Sequence, residues 1–168
     1  MFYRIADFLN EWSTESSTTQ RVLDAITDES LTREIANGFS SLGSIGWHIC
    51  QAYGGILHHT GLVFEAPSKS DPAPVRAAAI LAKYKEVGLG MKAAIEANWT
   101  DSSLLELVDV YGESWTKGAT LHMLIKHEIH HRGQMAVLIR QAGLRLPDIY
   151  GPTKETRMER RAHRETEG

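Results

Sequence analysis

His127 and His131 are the residues whose type and spacing point most directly to chemistry. They lie in the run His127-Glu128-Ile129-His130-His131-Arg132-Gly133-Gln134, inside a segment, Thr116 to Ala142, whose pattern predicts one helix. Residues four apart on a helix stand about 40° apart in azimuth and about 6 Å apart along the axis. The two imidazoles therefore point to one side as a pair. That side also carries Thr120, Leu124 and Leu138, with Gln134 and Met135 at its margins. It reads as a core-facing stripe interrupted by two polar rings. Each ring needs a hydrogen-bond partner once buried. A metal ion satisfies both at once, whereas the plain alternative is that neighbouring carbonyls or carboxylates do so.

Two nitrogens do not complete a catalytic zinc site, which has three protein ligands and one open position. Among the other histidines, His122 points almost opposite to the pair, His163 lies in a polar tail, and His58 is off the buried side of the second helix. His48 and His59 share one side of that helix but are about 16 Å apart along its axis, so one site can take only one of them. His48 sits among Ser41, Ser44, Ala52 and Gly55, which leave room for a ligand. The spacing favours His48 and leaves His59 open. Glu128 and His130 flank the pair by about 80° on either side and read as outer or rim groups.

The same letters match H-E-x-x-H, the zinc-peptidase helix, in which the glutamate is a general base. That reading needs Glu128 to face the metal-bound water and a downstream ligand, Glu155 or Glu159. Both lie in a charged tail that does not look like a ligand-bearing helix. It also leaves Arg132-Gly133-Gln134 unexplained.

Four helices must position these groups. The first is expected from about Tyr3 to Ile26, with an apolar repeat from Ile5 to Ile26 that weakens at Glu15 and Ser16. Those two are read as solvent-facing at a bend rather than lining an internal pocket. The second is expected from Ser40 or Ser41 to Phe64, with a glycine load that suits close helix packing or a ligand against the backbone. The loop Ala66 to Pro74 follows, closed by an Asp71-Pro72 cap that starts the third helix at about Pro74, running to Asn98. Leu104 to Gly112 fits an extended crossover or a helical turn. The fourth helix stops at Ala142-Gly143. Lys154 to Gly168 reads as a solvated helix or a disordered end, so the domain reading is a bundle over 1–152 and a polar tail over 153–168. The fold class is all-α.

At 168 residues and 42% hydrophobic content the chain can bury one sizeable core. Its net charge of −3 gives no sign of a nucleic-acid or membrane-surface partner. No apolar run reaches the ~18 residues of a membrane span, and the N-terminus lacks a signal pattern, so the expected setting is cytoplasmic. A single cysteine, Cys50, excludes an intrachain disulfide and reads as a small buried hydrophobe.

The run from His127 to Gln134, the following Leu138-Ile139-Arg140-Gln141-Ala142-Gly143-Leu144 and Pro147-Asp148-Ile149-Tyr150-Gly151, and the upstream Ser44-Ile45-Gly46-Trp47-His48-Ile49 together resemble the DinB/YfiT-like superfamily. The resemblance covers the chain to about Pro152. It implies an up-down-down-up four-helix bundle with a long connection between helices two and three, a role left here to the Pro67–Pro74 loop. It implies a divalent metal ion, zinc or nickel, held by His48, His127 and His131, and a homodimer. Members with assigned activity include transferases and isomerases that use low-molecular-weight thiols such as bacillithiol or mycothiol. The function implied is a metal-dependent transferase activating such a thiol. The alternatives are a non-catalytic metal-binding stress-response protein and a metal-dependent hydrolase. No catalytic residue is fixed. Glu128, Gln134 and Glu15 are candidates to orient ligands.

Overall fold

The computed structural model describes residues 1–166. Helix α1 spans Ile5–Asp24, and its first amide, Ile5 N–H, donates to Asp101 Oδ1 at 2.8 Å. A 3-10 turn, Asp28–Thr32, follows under a Thr27/Ser30 capping box. Helix α2, Leu42–Leu57, opens on a second capping box in which Ser41 and Ser44 satisfy each other's backbone amides. It is shorter than the sequence pattern suggests. After Leu57 the chain tightens into a 3-10 turn, His58–Thr60, and Gly61 ends it in the left-handed region at φ 74°.

This early stop lengthens the connection to α3, which runs from residue 58 to residue 76 rather than over Pro67–Pro74 alone. Helix α3 spans Ala77–Asn98, three residues later than expected. Asp71 does not cap it. Its carboxylate closes a turn on itself, accepting from Ser68 N–H at 2.8 Å and Ser68 Oγ at 2.9 Å. The helix borrows its cap instead from the first connection, where Asp28 Oδ1 accepts from Ala77 N–H at 2.7 Å.

The ambiguous stretch after α3 resolves into a 3-10 turn, Asp101–Leu105, and a small antiparallel hairpin. Strand β1, Leu107–Val110, pairs with β2, Glu113–Thr116. The two residues between them, Tyr111 and Gly112, both have positive φ (56° and 86°), the pattern of a tight hairpin turn. Thr116 then caps α4, Lys117–Gln141, by accepting from Ala119 N–H at 3.1 Å. Helix α5, Lys154–Thr166, has no buried residue and lies on the body through Arg140–Glu155 and Arg145–Glu159 ion pairs. The expected tail is therefore a solvated helix as far as Thr166, while Glu167 and Gly168 lie outside the described residues.

Helices α1 and α2 each pack against both α3 and α4, so the sequence neighbours α1 and α2 stand diagonally in a four-helix bundle. Phe8, Leu23, Ile49, Leu57, Ile80, Met91, Ile95, Leu121 and Leu138 fill the centre and are almost fully buried. Each such side chain stabilises by roughly 1.5–3 kcal/mol. The glycines of α2 serve close packing in part. A Cβ on Gly46 would meet Leu23 of α1 at 3.3 Å and Ile80 of α3 at 3.4 Å, and one on Gly54 would meet Ala66 of the following connection at 2.8 Å. Glu15 and Ser16 depart from expectation, since both are buried. Among the described residues no helix is long and apolar enough to cross a membrane.

Candidate metal centre

Helix α2 contributes His48 and helix α4 contributes His127 and His131 to one cluster, in which each residue offers a ligand atom within 4.8 Å of the others. His127 Nε2 lies 3.3 Å from His48 Nε2 and 3.1 Å from His131 Nε2. Two nitrogens each about 2.1 Å from one ion stand about 3.0 Å apart at right angles and about 3.4 Å apart in a tetrahedron. These two separations fall inside that interval.

Hydrogen bonding alone does not account for the arrangement. His131 Nδ1 meets the Gln134 side-chain oxygen at 2.8 Å, and that oxygen only accepts. The Nδ1 proton is thereby fixed, and Nε2 presents a lone pair to the cluster. Burial, then the charges of His131, His48 and His130, push His127 down to about 4. Burial also lowers His131, against the Gln134 hydrogen bond, and lowers His48, helped by the charge of Lys69. Three largely neutral rings with nitrogens turned on one another are the donor set that a divalent ion takes.

The cluster is not in the bundle interior. His48 is exposed and His127 and His131 are half-buried, so the three line an outer seam between α2 and α4. Of the stripe read as core-facing, Thr120, Leu124, Met135 and Leu138 are buried, and the two histidines sit at its outer edge. In these two turns of α4 the core residues are Glu128 (2% exposed) and Arg132 (1%).

Glu128 is thus no rim group. It accepts hydrogen bonds from Thr19 Oγ1 of α1 at 2.6 Å, Tyr53 Oη of α2 at 2.7 Å and Tyr84 Oη of α3 at 2.6 Å. Arg132 forms a buried ion pair with Glu15, and donates to Thr19 Oγ1 and to the Glu15 carbonyl, both at 3.0 Å. Tyr150 closes this group by donating to Glu15 Oε2 at 2.7 Å. Glu15 therefore belongs to a core network with Arg132, and of the three orienting candidates only Gln134 touches a histidine of the cluster. Sequence reasoning missed Arg132, Tyr53, Tyr84 and Tyr150. One signal was available: Glu128 and Arg132 are themselves four apart, a charged pair on the face next to the histidines.

The remaining candidates fall elsewhere. His59 packs against His58 and Tyr111, and its Nε2 has no hydrogen-bond partner among the described residues. His122 stacks edge-on to Phe2. His130 is exposed beside the His131 ring, 5.0 Å between centroids. Glu155 and Glu159 are held by Arg140 and Arg145, so neither supplies the ligand that the peptidase reading needs. Cys50 is buried, and its thiol is pushed up to about 12 by burial and by the Glu128 charge.

One feature edges the seam. A turn at residues 68–71 is tied to α2 on the flank of His48: Trp47 Nε1 donates to the Asp71 carbonyl at 2.9 Å, and Gln51 Nε2 to the Ser68 carbonyl at 2.7 Å. Lys69 sits on this turn and makes no ion pair among the described residues. A cavity of about 610 Å³ lies beside the first connection, lined by Thr32, Arg33, Glu34, Asn37 and Ala142 among others, and none of the three histidines borders it.

Residues 1–165 match the model of the DinB family. The chain is 43% identical over 155 residues to the uncharacterized protein YrdA of Bacillus subtilis strain 168, covering 92% of this chain and 93% of that one. It is similar to the crystal structure of a DinB-like protein from Bacillus cereus ATCC 10987, with a TM-score of 0.87 at 43% identity, covering 89% of this chain and all of that one. A second DinB-like crystal structure, YjoA of Bacillus subtilis, shares the fold at a TM-score of 0.67 and 18% identity, over 85% of this chain and 97% of the other.

Proposed function

The chain belongs to the DinB family, and on that premise we propose that His48, His127 and His131 hold one divalent ion, zinc or nickel, in a transferase that activates a low-molecular-weight thiol. The observation that carries this reading is the approach of three ring nitrogens at 3.1 and 3.3 Å with the His131 tautomer set by Gln134. An ion held there would supply a Lewis acid on which a thiol is kept as thiolate near neutral pH.

The side chains of this chain favour a thiol over water as the nucleophile. Hydrolysis of the zinc-peptidase type adds a carboxylate base beside the metal-bound water. Glu128 has its oxygens occupied by three hydroxyls in the core, and Glu15 is paired with Arg132. A thiol is acidic enough to be used without such a base. The cation of Lys69, close enough to act on His48, suits an anionic thiol such as bacillithiol. The exposed His48 leaves one side of the cluster open to it. A second reading is a metal-binding stress-response protein without turnover. It is supported by the absence of the three histidines from the lining of the 610 Å³ cavity. Both readings take the protein to be a cytoplasmic homodimer, which light scattering checks for the assembly.

Metal analysis of protein purified without a metal-affinity step tests the site. One equivalent is expected in the wild type and none in His48→Ala or His127→Ala; no bound metal in the wild type would sink both readings. Incubation of the loaded protein with an electrophile and bacillithiol, mycothiol or glutathione then separates them. Thiol consumption supports the transferase, and its absence across the panel leaves the binding protein.

A further inference from the structure

The three-histidine cluster joins two helices, and a second contact joins the same two helices on the other side of the seam. His48 and Tyr53 are five residues apart on α2, about 140° apart in azimuth. His127 and Glu128 are adjacent on α4, about 100° apart. On the outer side His48 Nε2 meets His127 Nε2 at 3.3 Å. On the core side Tyr53 Oη donates to Glu128 Oε2 at 2.7 Å.

We infer that the Tyr53–Glu128 hydrogen bond sets the spacing of His48 from His127, making Tyr53 and Glu128 positioning residues of the three-histidine centre. The inference rests on the metal reading above.

Three observations support it. Glu128 receives one hydroxyl from each of the other three helices, Thr19 on α1, Tyr53 on α2 and Tyr84 on α3, so its place in the cross-section is over-determined. The phenol is committed to the carboxylate. Trp12 Nε1 donates to Tyr53 Oη at 2.8 Å, and of the two oxygens that could take the phenolic proton Glu128 Oε2 at 2.7 Å is nearer than Tyr84 Oη at 3.3 Å. Burial, with the neighbouring Tyr84 and Glu128, raises Tyr53 well above its ordinary range, so that proton stays in place. Lastly, among the described residues no other side-chain hydrogen bond joins α2 to α4, and the apolar packing between them is non-directional. Ligand distances in a metal site must hold to about 0.2 Å, and a buried bond to a charged acceptor supplies a direction that packing lacks.

The geometry separates positioning from general stabilisation, because α2 carries a histidine of the cluster and α3 carries none. Tyr53→Phe and Tyr84→Phe each remove one hydroxyl from the same carboxylate. Zinc affinity, measured by competition with a chromophoric chelator well below the unfolding temperature, is expected to fall about tenfold in Tyr53→Phe and to stay within about twofold of wild type in Tyr84→Phe. The ligand-field spectrum of the cobalt-loaded protein is expected to shift only in Tyr53→Phe. Trp12→Phe, which leaves the carboxylate untouched, is expected to match Tyr84→Phe. Equal affinities and spectra in Tyr53→Phe and Tyr84→Phe, whether unchanged or weakened alike, would overturn the inference. If Tyr53→Phe does not fold, Glu128→Gln takes its place, with the same expected loss relative to Tyr84→Phe and the same overturning outcome. A wild type that binds no metal brings down the three-histidine reading and this inference together. A wild type that binds one equivalent beside indifferent variants brings down the inference alone.

Discussion

His127 and Glu128 are adjacent in sequence and face different media. The His127 ring lies half-buried on the outer seam with its Nε2 3.1 Å from His131, while the Glu128 carboxylate is 2% exposed and bonded to three helices. One helical step of about 100° separates a donor cluster from a structural core. The next turn repeats the alternation with His131 and Arg132.

Gln134 is the polar side chain seen on the cluster itself. Gln134→Leu removes the acceptor for His131 Nδ1 and frees the ring to change tautomer. Metal affinity is expected to fall about 10–100-fold. Because Gln134 is only half-buried, stability should move by less than about 0.5 kcal/mol. Calorimetric titration and thermal unfolding of the metal-free protein check the two halves; an unchanged affinity counts against the orienting role.

Arg132 is expected to be the costliest single charge to remove. Arg132→Met strands the buried Glu15 carboxylate and takes a donor from Thr19, a loss of about 3–5 kcal/mol. Adding Glu15→Gln to Arg132→Met should recover a large part of it, since the uncompensated charge is then gone. Urea unfolding of the two single variants and the double variant measures the recovery.

The docking of α5 should depend on acid in a narrow window. The Arg140 hydrogen bonds hold Glu155 down to about 2, below an ordinary glutamate value of about 4.3. A carboxylate lowered in the folded state stabilises above its unfolded pKa, and that contribution is lost as pH falls through the folded one. Docking is therefore expected to be complete at neutral pH and to be lost between about pH 4.3 and about pH 2. The pair is exposed, so added salt should weaken it as well. Amide exchange over Lys154–Thr166, with Arg140→Gln as reference, reads both effects.

Cys50 should be silent to thiol reagents in the native state. It is fully buried with its pKa pushed up to about 12, so thiolate is scarce at neutral pH. An Ellman titration is expected to find no reactive thiol before denaturant is added and one equivalent after. Rapid labelling of the native protein would contradict the packing around Gly46 and Ile80 carbonyls.

The bundle class, the four long helices and the pairing of His127 with His131 were legible in the sequence, because periodicity and spacing are local properties of a helix; His48 was favoured by its small neighbours and joined to the pair by the family resemblance. What was not legible depended on partners far away in the chain. Helix α2 ends early because the chain tightens into a 3-10 turn at His58–Thr60 that Gly61 closes in a left-handed conformation, which the apolar residues Leu62 to Phe64 concealed. Helix α3 starts late because its cap is Asp28, 49 residues upstream. Glu15 looked like a break in an apolar stripe until Arg132, 117 residues on, gave it a buried partner. The azimuth of the histidine pair was right and its destination was not. In the two turns that carry the rings, the charged pair Glu128 and Arg132 takes the core face of α4.

The alternation on α4 makes the chain intolerant of a frame change within that helix. One residue inserted or deleted just before His127 would turn every later side chain by about 100°. Imidazoles would move from the seam, and Glu128 and Arg132 would be carried out of reach of Thr19, Tyr53, Tyr84 and Glu15. Folding and ion capture would then be lost in a single event, although no residue of either set had been replaced. Substitutions in this segment can be graded one function at a time, whereas length changes cannot.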